Sequence, residues 1–468
     1  MSKPLRRALV WIRRDLRLYD HVPLARACAE ADEVVVGFVF DTTILRDLQD
    51  KDDTRVTFIH DSVMEVDRGL AEHGSRLMVR YGDPVEEIPK LAAELGVDAV
   101  FTGRDYEPYA NHRDAEVAQR LACPFVTLKD HVIFEAGEVL TQGGDPFRVY
   151  SPYARAWRTR FRPEVDAAEA VVDPAAFGKN LEPHVQDWPL EKVGFVRGEP
   201  WTPGGEAAGR ENLRAFARKI GRYAANRDFP TRDATSGLSV HLRFGTVSTR
   251  EAFRVALAEG GDKWMSELIW REFYQDILAN LPDVVETTFN SAYRDLEFPG
   301  SDEHYQAWED GMTGYPLVDA AMRCLNQTGW MHNRLRMVVA MFLTKDLLVD
   351  YRRGEAHFAR KLLDFDLAQN NGGWQWSASV GADAAPYFRV FNPYLQSEKF
   401  DPEGEFIAEW VPELAALPAH QRHRPHEVSP MELLAAGIEL GKTYPYPIVD
   451  HAVQKDLAIK LFSDLRGS

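Results

Sequence analysis

The stretch from Asp364 to Trp376 reads DFDLAQNNGGWQW and packs acids, amides, glycines and indoles into thirteen positions. A core segment rarely needs all four together. Two acids two apart suit a loop, and Asn370-Asn371-Gly372-Gly373 permits a tight turn and a close approach of backbone to a ligand. Trp374 and Trp376 follow directly and offer flat apolar surfaces. Such a set suits the holding of a planar heterocycle, with amides and carboxylates at its polar edge.

Three further segments carry chemistry-bearing spacings. Glu267 and Trp270, in ELIWREF (267–273), are three apart and share a helix face. A carboxylate beside an indole can hold a flat polar ring by hydrogen bonding and stacking. Asn333 and Met337, in GWMHNRLRM (329–337), are four apart on one face. Arg334 and Arg336 flank that face and can reach phosphates, although solvated arginines on an amphipathic helix give the same pattern. Thr235, Ser236 and Ser239 surround Gly237. Hydroxyls and N–H groups at a helix start can hold phosphates, and an ordinary helix cap uses the same residues. His420, His423 and His426 are spaced H-x2-H-x2-H, but this spacing does not bring all three to one helical face and Pro425 interrupts it. No metal is therefore expected. No Ser-His-Asp or Cys-His set stands out.

These residues need a scaffold. The chain has 468 residues and a mass of 53.1 kDa, more than one core supports, so two domains are expected. Its 45% apolar and 11% aromatic content excludes global disorder. No run approaches the ~20 apolar residues of a membrane helix, so no membrane partner is expected. The early apolar run Ala8 to Ile12 is cut off by Arg13-Arg14-Asp15 and does not read as a signal peptide. Cys28, Cys123 and Cys324 are far apart, which argues against a disulfide framework or a zinc ribbon. The protein reads as cytoplasmic. A net charge of −17 argues against nucleic acid as a partner. Residues 321–400, however, hold ten Lys/Arg against seven acids, a local excess of +3. That excess reads either as solvated helix faces or as an anion-binding patch.

Short apolar runs at Ala8–Ile12, Val34–Phe40, Arg76–Tyr81, Ala99–Thr102 and Phe125–Leu128 alternate with helix-like segments over residues 1–130. This pattern predicts an α/β Rossmann-like domain with a parallel five-stranded sheet. No GxGxxG follows the first run, so a standard dinucleotide fingerprint is absent there. Residues 131–205 are rich in Pro, Gly and charge and read as a long surface connector. From 206 to 468 helical spacing takes over, with seven tryptophans from Trp264 to Trp410, so the second domain is expected to be all-α.

With these motifs in view, the sequence resembles the photolyase/cryptochrome family, and within it the class I cyclobutane pyrimidine dimer branch. TSGLS (235–239), ELIWREF, GYPLVDAAMR (314–323), GWMHNRLRM and the run from Asp364 to Asn392 carry the resemblance, which covers essentially the whole chain. It implies an antenna domain over 1–130, a linker over 131–205 and a FAD-binding catalytic domain over 206–468. It also implies light-driven repair of cyclobutane dimers in DNA by a monomer with access to the bacterial nucleoid. Residue by residue, Tyr223, Thr235, Ser236, Leu238, Ser239 and Trp264 would contact FAD, with Arg336 and Asp364 as an ion pair beside the flavin. Asp366 would lie at the isoalloxazine edge or the adenosine side, and Asn370 would face flavin N5. Glu267 would hydrogen-bond the dimer bases, and Trp270 and Trp376 would wall the flipped dimer. Asn333 and Met337 would line the same cavity, and Arg227 and Arg334 would hold DNA phosphates. Extruding a distorted dimer costs less than extruding a normal pair.

Two features stand apart from the family pattern. The light-driven relay of three tryptophans in the family matches Trp374, but its middle place falls on Tyr351 and its distal place on Phe298. The usual relay is therefore expected to be interrupted, with photoreduction slow or routed through other aromatics and repair intact. Glu107-Pro108-Tyr109 lies where a second antenna chromophore would sit, and folate, deazaflavin and flavin are all open. The alternative function is a cryptochrome-type blue-light photoreceptor, against which stand Asn370, Met337 and the expected lack of a long C-terminal tail. A (6-4) photolyase is disfavoured because Met337 stands where a second active-site histidine is expected.

Overall fold

Strand β1 (Leu5–Trp11) begins a sheet whose inner strands are buried along most of their length, which is why they appear in sequence as apolar runs. β2 (Ala31–Asp41), β3 (Leu77–Gly82), β4 (Ala99–Gly103) and β5 (Phe125–Leu128) complete it, all parallel, in the order β3-β2-β1-β4-β5. Val10 pairs with Val36 on one side and Phe101 on the other. The computed structural model describes the backbone of residues 3–467 and the side chains of residues 3–465.

Helices cross between the strands, and their ends follow local chemistry. Asp83 caps the Pro84–Leu95 helix by accepting from Val85 N at 2.9 Å, proline occupies the first helical position, and Gly96 closes it with φ of 59°. Asp53 caps the Thr54–Ala71 helix in the same way.

The strand order reverses between β1 and β4, where open α/β sheets commonly bind nucleotides. Here the residues after those strands form ion pairs. Arg14 reaches Asp105 at 3.0 Å and Glu107 at 2.9 Å, and Arg243 reaches Glu107 at 2.8 Å.

The chain divides into two compact units. The first runs to residue 147 and adds 151–221 and 236–282, so the helices Glu206–Ala217, Ser239–Phe244, Thr249–Ala258 and Asp262–Asn280 belong with the sheet. The second comprises 148–150, 222–235 and the chain from 283 onward, and is helical.

The stretch 131–205 is more than a surface connector. It contains the Tyr150–Arg160 helix, which buries Tyr153 and Trp157 completely. Trp157 stacks on Phe253 with centroids 5.0 Å apart and donates its indole N–H to Glu272 at 2.7 Å. A buried charge network closes the first unit. Arg17 pairs with Asp130 at 2.6 Å, and Arg250 bridges Asp20 and Asp130, each at 3.0 Å. Among the described residues no helix is long and apolar enough to cross a membrane.

Candidate functional site

The Leu367–Ala378 helix carries the chemistry-rich stretch. Asn-Asn-Gly-Gly is therefore helical, not the tight turn its composition suggests. Asp366 caps the helix, accepting from Gln369 N at 3.3 Å. Two interior glycines cost the helix about 1 kcal/mol each, and packing offsets this. Trp374 presses onto the neighbouring Tyr351–Lys361 helix at Gly354, where any Cβ would lie 2.1 Å from the indole.

One face of the Leu367–Ala378 helix carries Asp366, Asn370 and Gly373. Asn370 is buried and donates one amide hydrogen to Glu355 O at 3.0 Å. Asn371 donates to the Glu355 carboxylate at 3.1 Å, and burial pushes that carboxyl up to about 7. A Cβ on Gly373 would meet nothing within 4 Å, so open space lies one turn beyond Asn370. Trp376 is half-buried, and its ring meets no other aromatic among the described residues.

The Asn333–Met341 helix supplies the adjoining side chains in the same unit. His332 caps it, Nδ1 accepting from Arg334 N at 3.1 Å, and burial lowers its pKa to about 4, leaving the ring neutral. Asn333 is exposed and Met337 half-buried, one turn apart as expected. Arg336 does not project freely. It donates to both oxygens of Asp364, at 2.8 and 3.1 Å, and to Met331 O at 2.8 Å.

Arg334 pairs with Asp228 at 2.9 Å, and Arg227 stands 3.8 Å from the same carboxylate. The two arginines expected to hold phosphate thus share one acid. Arg227 also lies over the Tyr223 ring at 5.3 Å. Neither the sharing nor Asp228 itself was evident in the sequence, because residues 228 and 334 are 106 positions apart.

In the first unit, Glu267 and Trp270 lie on a half-buried face of the Asp262–Asn280 helix. Glu267 is 3.2 Å from Lys263, and Trp270 packs against Phe273 and Tyr274 with centroids 5.6 and 5.5 Å away. Trp264 is buried against Phe216 at 4.9 Å. Glu272, in the same segment, serves structure. It accepts from Ile133 N, Phe134 N and Trp157 Nε1. Ser236 Oγ accepts from Leu238 N at 3.3 Å, Gly237 adopts φ of 63°, and Ser239 is exposed at the start of its helix. The Leu238 side chain is fully buried, so only its backbone is free to serve a ligand. In the second unit Thr235 is half-buried.

Each unit carries donors of its own. In the second, the strip beside Asn370 and Gly373 suits a planar heterocycle; in the first, the hydroxyls of Ser236 and Ser239 suit phosphate or ribose. Tyr351 is buried and Phe298 partly buried, and neither ring meets another aromatic among the described residues. Tyr109 Oη, in the Glu107-Pro108-Tyr109 segment, donates to Asp41 at 2.7 Å. No three His, Cys, Asp or Glu side chains among the described residues are grouped to hold a metal. His423 Nδ1 instead lies 2.7 Å from Ser397 Oγ.

Comparison with known proteins agrees with this geometry. Residues 264–464 match the family described as the FAD binding domain of DNA photolyase, and residues 8–172 match DNA photolyase. A deoxyribodipyrimidine photo-lyase from Halobacterium salinarum is 40% identical over 489 residues, covering 98% of this chain and 99% of that one. The crystal structure of a bacterial class III photolyase from Agrobacterium tumefaciens superposes with a TM-score of 0.89 at 32% identity, covering 100% of this chain and 98% of that one. An archaeal photolyase from Sulfolobus tokodaii, solved with two FAD molecules, gives 0.83 at 32% identity, covering 98% and 100%.

Proposed function

The chain belongs to the DNA photolyase family, and on that premise we propose that it is a deoxyribodipyrimidine photo-lyase, a light-driven DNA repair enzyme that uses FAD. FAD, when bound and reduced, would supply light-driven one-electron chemistry for opening the cyclobutane ring of a flipped-out dimer. The protein binds, orients and shields. The reading is carried by the Asp366–Asn370–Gly373 face of the Leu367–Ala378 helix, with the Arg336–Asp364 pair in the same unit.

The residues divide the work by type. Arg336 and Asp364 would hold fixed opposite charges beside a bound flavin, and Asn370 would offer it a neutral amide. Tyr223, Thr235, Ser236, Ser239 and the backbone of Leu238 serve the ribose and phosphates, and Trp264 is a further FAD contact. Glu267, as a carboxylate, accepts from base N–H groups. Trp270 and Trp376 stack on bases, which recovers about 1–3 kcal/mol per base. Asn333 and Met337 line the dimer cavity. Arg227 and Arg334 bind phosphates, with Asp228 holding them in position. These residues support the class I cyclobutane-dimer branch.

By function we assign residues 1–130 to the antenna domain, 131–205 to the linker and 206–468 to FAD binding and repair. The protein acts as a cytoplasmic monomer without a membrane partner. A second chromophore near Glu107-Pro108-Tyr109 is part of the proposal, and the two FAD molecules of the Sulfolobus tokodaii photolyase favour a flavin there. An assay on oligonucleotides carrying a cyclobutane dimer, in light and in darkness, with a (6-4) lesion as control, tests this reading. Light-dependent repair of the cyclobutane lesion alone is expected. A protein that binds flavin and repairs neither lesion would instead fit the photoreceptor alternative.

A further inference from the structure

Trp374 needs an electron donor behind it, and the two positions expected to continue the relay are poorly suited. Tyr351 is buried, its hydroxyl makes no hydrogen bond among the described residues, and burial holds its proton tightly. A phenol gives up an electron readily only when its proton can leave, and the Glu355 and Asp350 carboxylates act on the Tyr351 phenol from a distance, without a hydrogen bond that would take its proton. Phe298 is a benzene ring and is far harder to oxidise than an indole.

Another row of rings leads away from Trp374. Trp308 meets it edge to face with centroids 6.0 Å apart, and Phe358 fills the angle between them at 5.0 and 6.4 Å. Tyr305, one turn from Trp308 on the Asp302–Glu309 helix, stacks on it at 6.0 Å and is only half-buried. We propose that Trp308 and Tyr305 replace the missing tryptophans, so that this chain passes electrons along Tyr305, Trp308 and Trp374. The proposal rests on the FAD-binding reading above.

The steps balance one electron at a time. Under light Trp374 loses one electron to the flavin, Trp308 refills Trp374, and Tyr305 refills Trp308. Tyr305 donates to Arg353 O at 3.4 Å and burial raises its pKa too, but its half-exposed ring, unlike buried Tyr351, lets the phenolic proton leave to water, and a thiol reductant in solution restores the tyrosine by giving a hydrogen atom. The surroundings suit each role. Trp308 is fully buried and its indole N–H donates to Val339 O at 3.0 Å. A carbonyl is too weak a base to take that proton, so the oxidised indole keeps its charge and passes the vacancy on. The His357 ring beside it, 5.6 Å away, has its pKa lowered by burial, and its Nδ1 lies 2.8 Å from the Glu309 carboxylate, which would balance a charge on the ring. Arg353 lies over the Tyr305 ring at 3.9 Å, which disfavours a tyrosine cation and leaves the neutral radical, formed by proton loss, as the terminus.

The test is time-resolved absorption and electron paramagnetic resonance of FAD-loaded protein under blue light, for the parent chain and for Trp308→Phe, Tyr305→Phe and Tyr351→Phe. Expected are a tyrosyl radical in the parent, its loss in Tyr305→Phe, and light-driven flavin reduction slowed at least roughly tenfold in Trp308→Phe. Tyr305→Phe deletes one hydroxyl at a partly exposed place, so it reports even if the buried Trp308→Phe variant folds poorly. Slowing in Tyr351→Phe, together with an undiminished tyrosyl signal in Tyr305→Phe, overturns the inference. Protein that takes up no FAD overturns the FAD-binding reading and this inference together, whereas FAD-loaded protein indifferent to Trp308 and Tyr305 overturns this inference alone.

Discussion

Arg336 donates to both carboxylate oxygens of Asp364, at 2.8 and 3.1 Å, and the acid is the more deeply buried of the two. That asymmetry predicts unequal variants. Arg336→Ala strands a buried carboxylate, a loss of about 3–5 kcal/mol. Asp364→Asn leaves a partly exposed guanidinium that water can still solvate, and costs less. Both variants should purify with less flavin than the parent. Denaturant unfolding and the flavin-to-protein absorbance ratio check the order.

Asp228 sits between Arg227 and Arg334, which sets the sign of a second prediction. Arg334→Ala should weaken binding to all DNA and lower the slope of log affinity against log salt by about one. Asp228→Asn removes the competing acid and should tighten binding. Titrations at several salt concentrations read both.

Trp376 offers a half-exposed ring with no aromatic partner among the described residues. Trp376→Ala should lose about 1–3 kcal/mol of affinity for dimer-containing DNA. Affinity for undamaged duplex should barely change, because stacking on this ring requires a flipped base.

Glu272 gives a pH prediction. Burial raises its carboxyl to about 7, from an ordinary 4.5, against the pull of three donors. The folded state thus holds the proton more tightly than the unfolded state. Stability from this group is present below about pH 4.5 and falls as pH rises toward 7. Glu272→Gln cannot ionise, so it should flatten part of that slope, by about 3 kcal/mol at most. Asp276, also raised to about 7, retains the rest. Urea unfolding at pH 5 and pH 8 compares the two proteins.

The sheet was legible because the inner parallel strands are buried and hence apolar, and even the half-buried edge strand Phe125–Leu128 matches its expected limits. The sharing of helix faces by Glu267 with Trp270, and by Asn333 with Met337, followed from spacing alone. Features fixed by distant partners were not legible. Trp157 stands in an arginine-rich run that reads as surface, and its burial depends on Glu272, 115 positions away. The helical state of Asn370-Asn371-Gly372-Gly373 defeats local propensity because Trp374 seats on Gly354 of another helix. Trp308 looked like one core indole among several until its ring was found against Trp374.

Repair itself is the most direct test. Reduced, FAD-loaded protein should restore an oligonucleotide bearing one cyclobutane dimer under blue light and leave it untouched in darkness. A restored (6-4) lesion, or an intact dimer after illumination of protein that carries reduced flavin, would contradict the account.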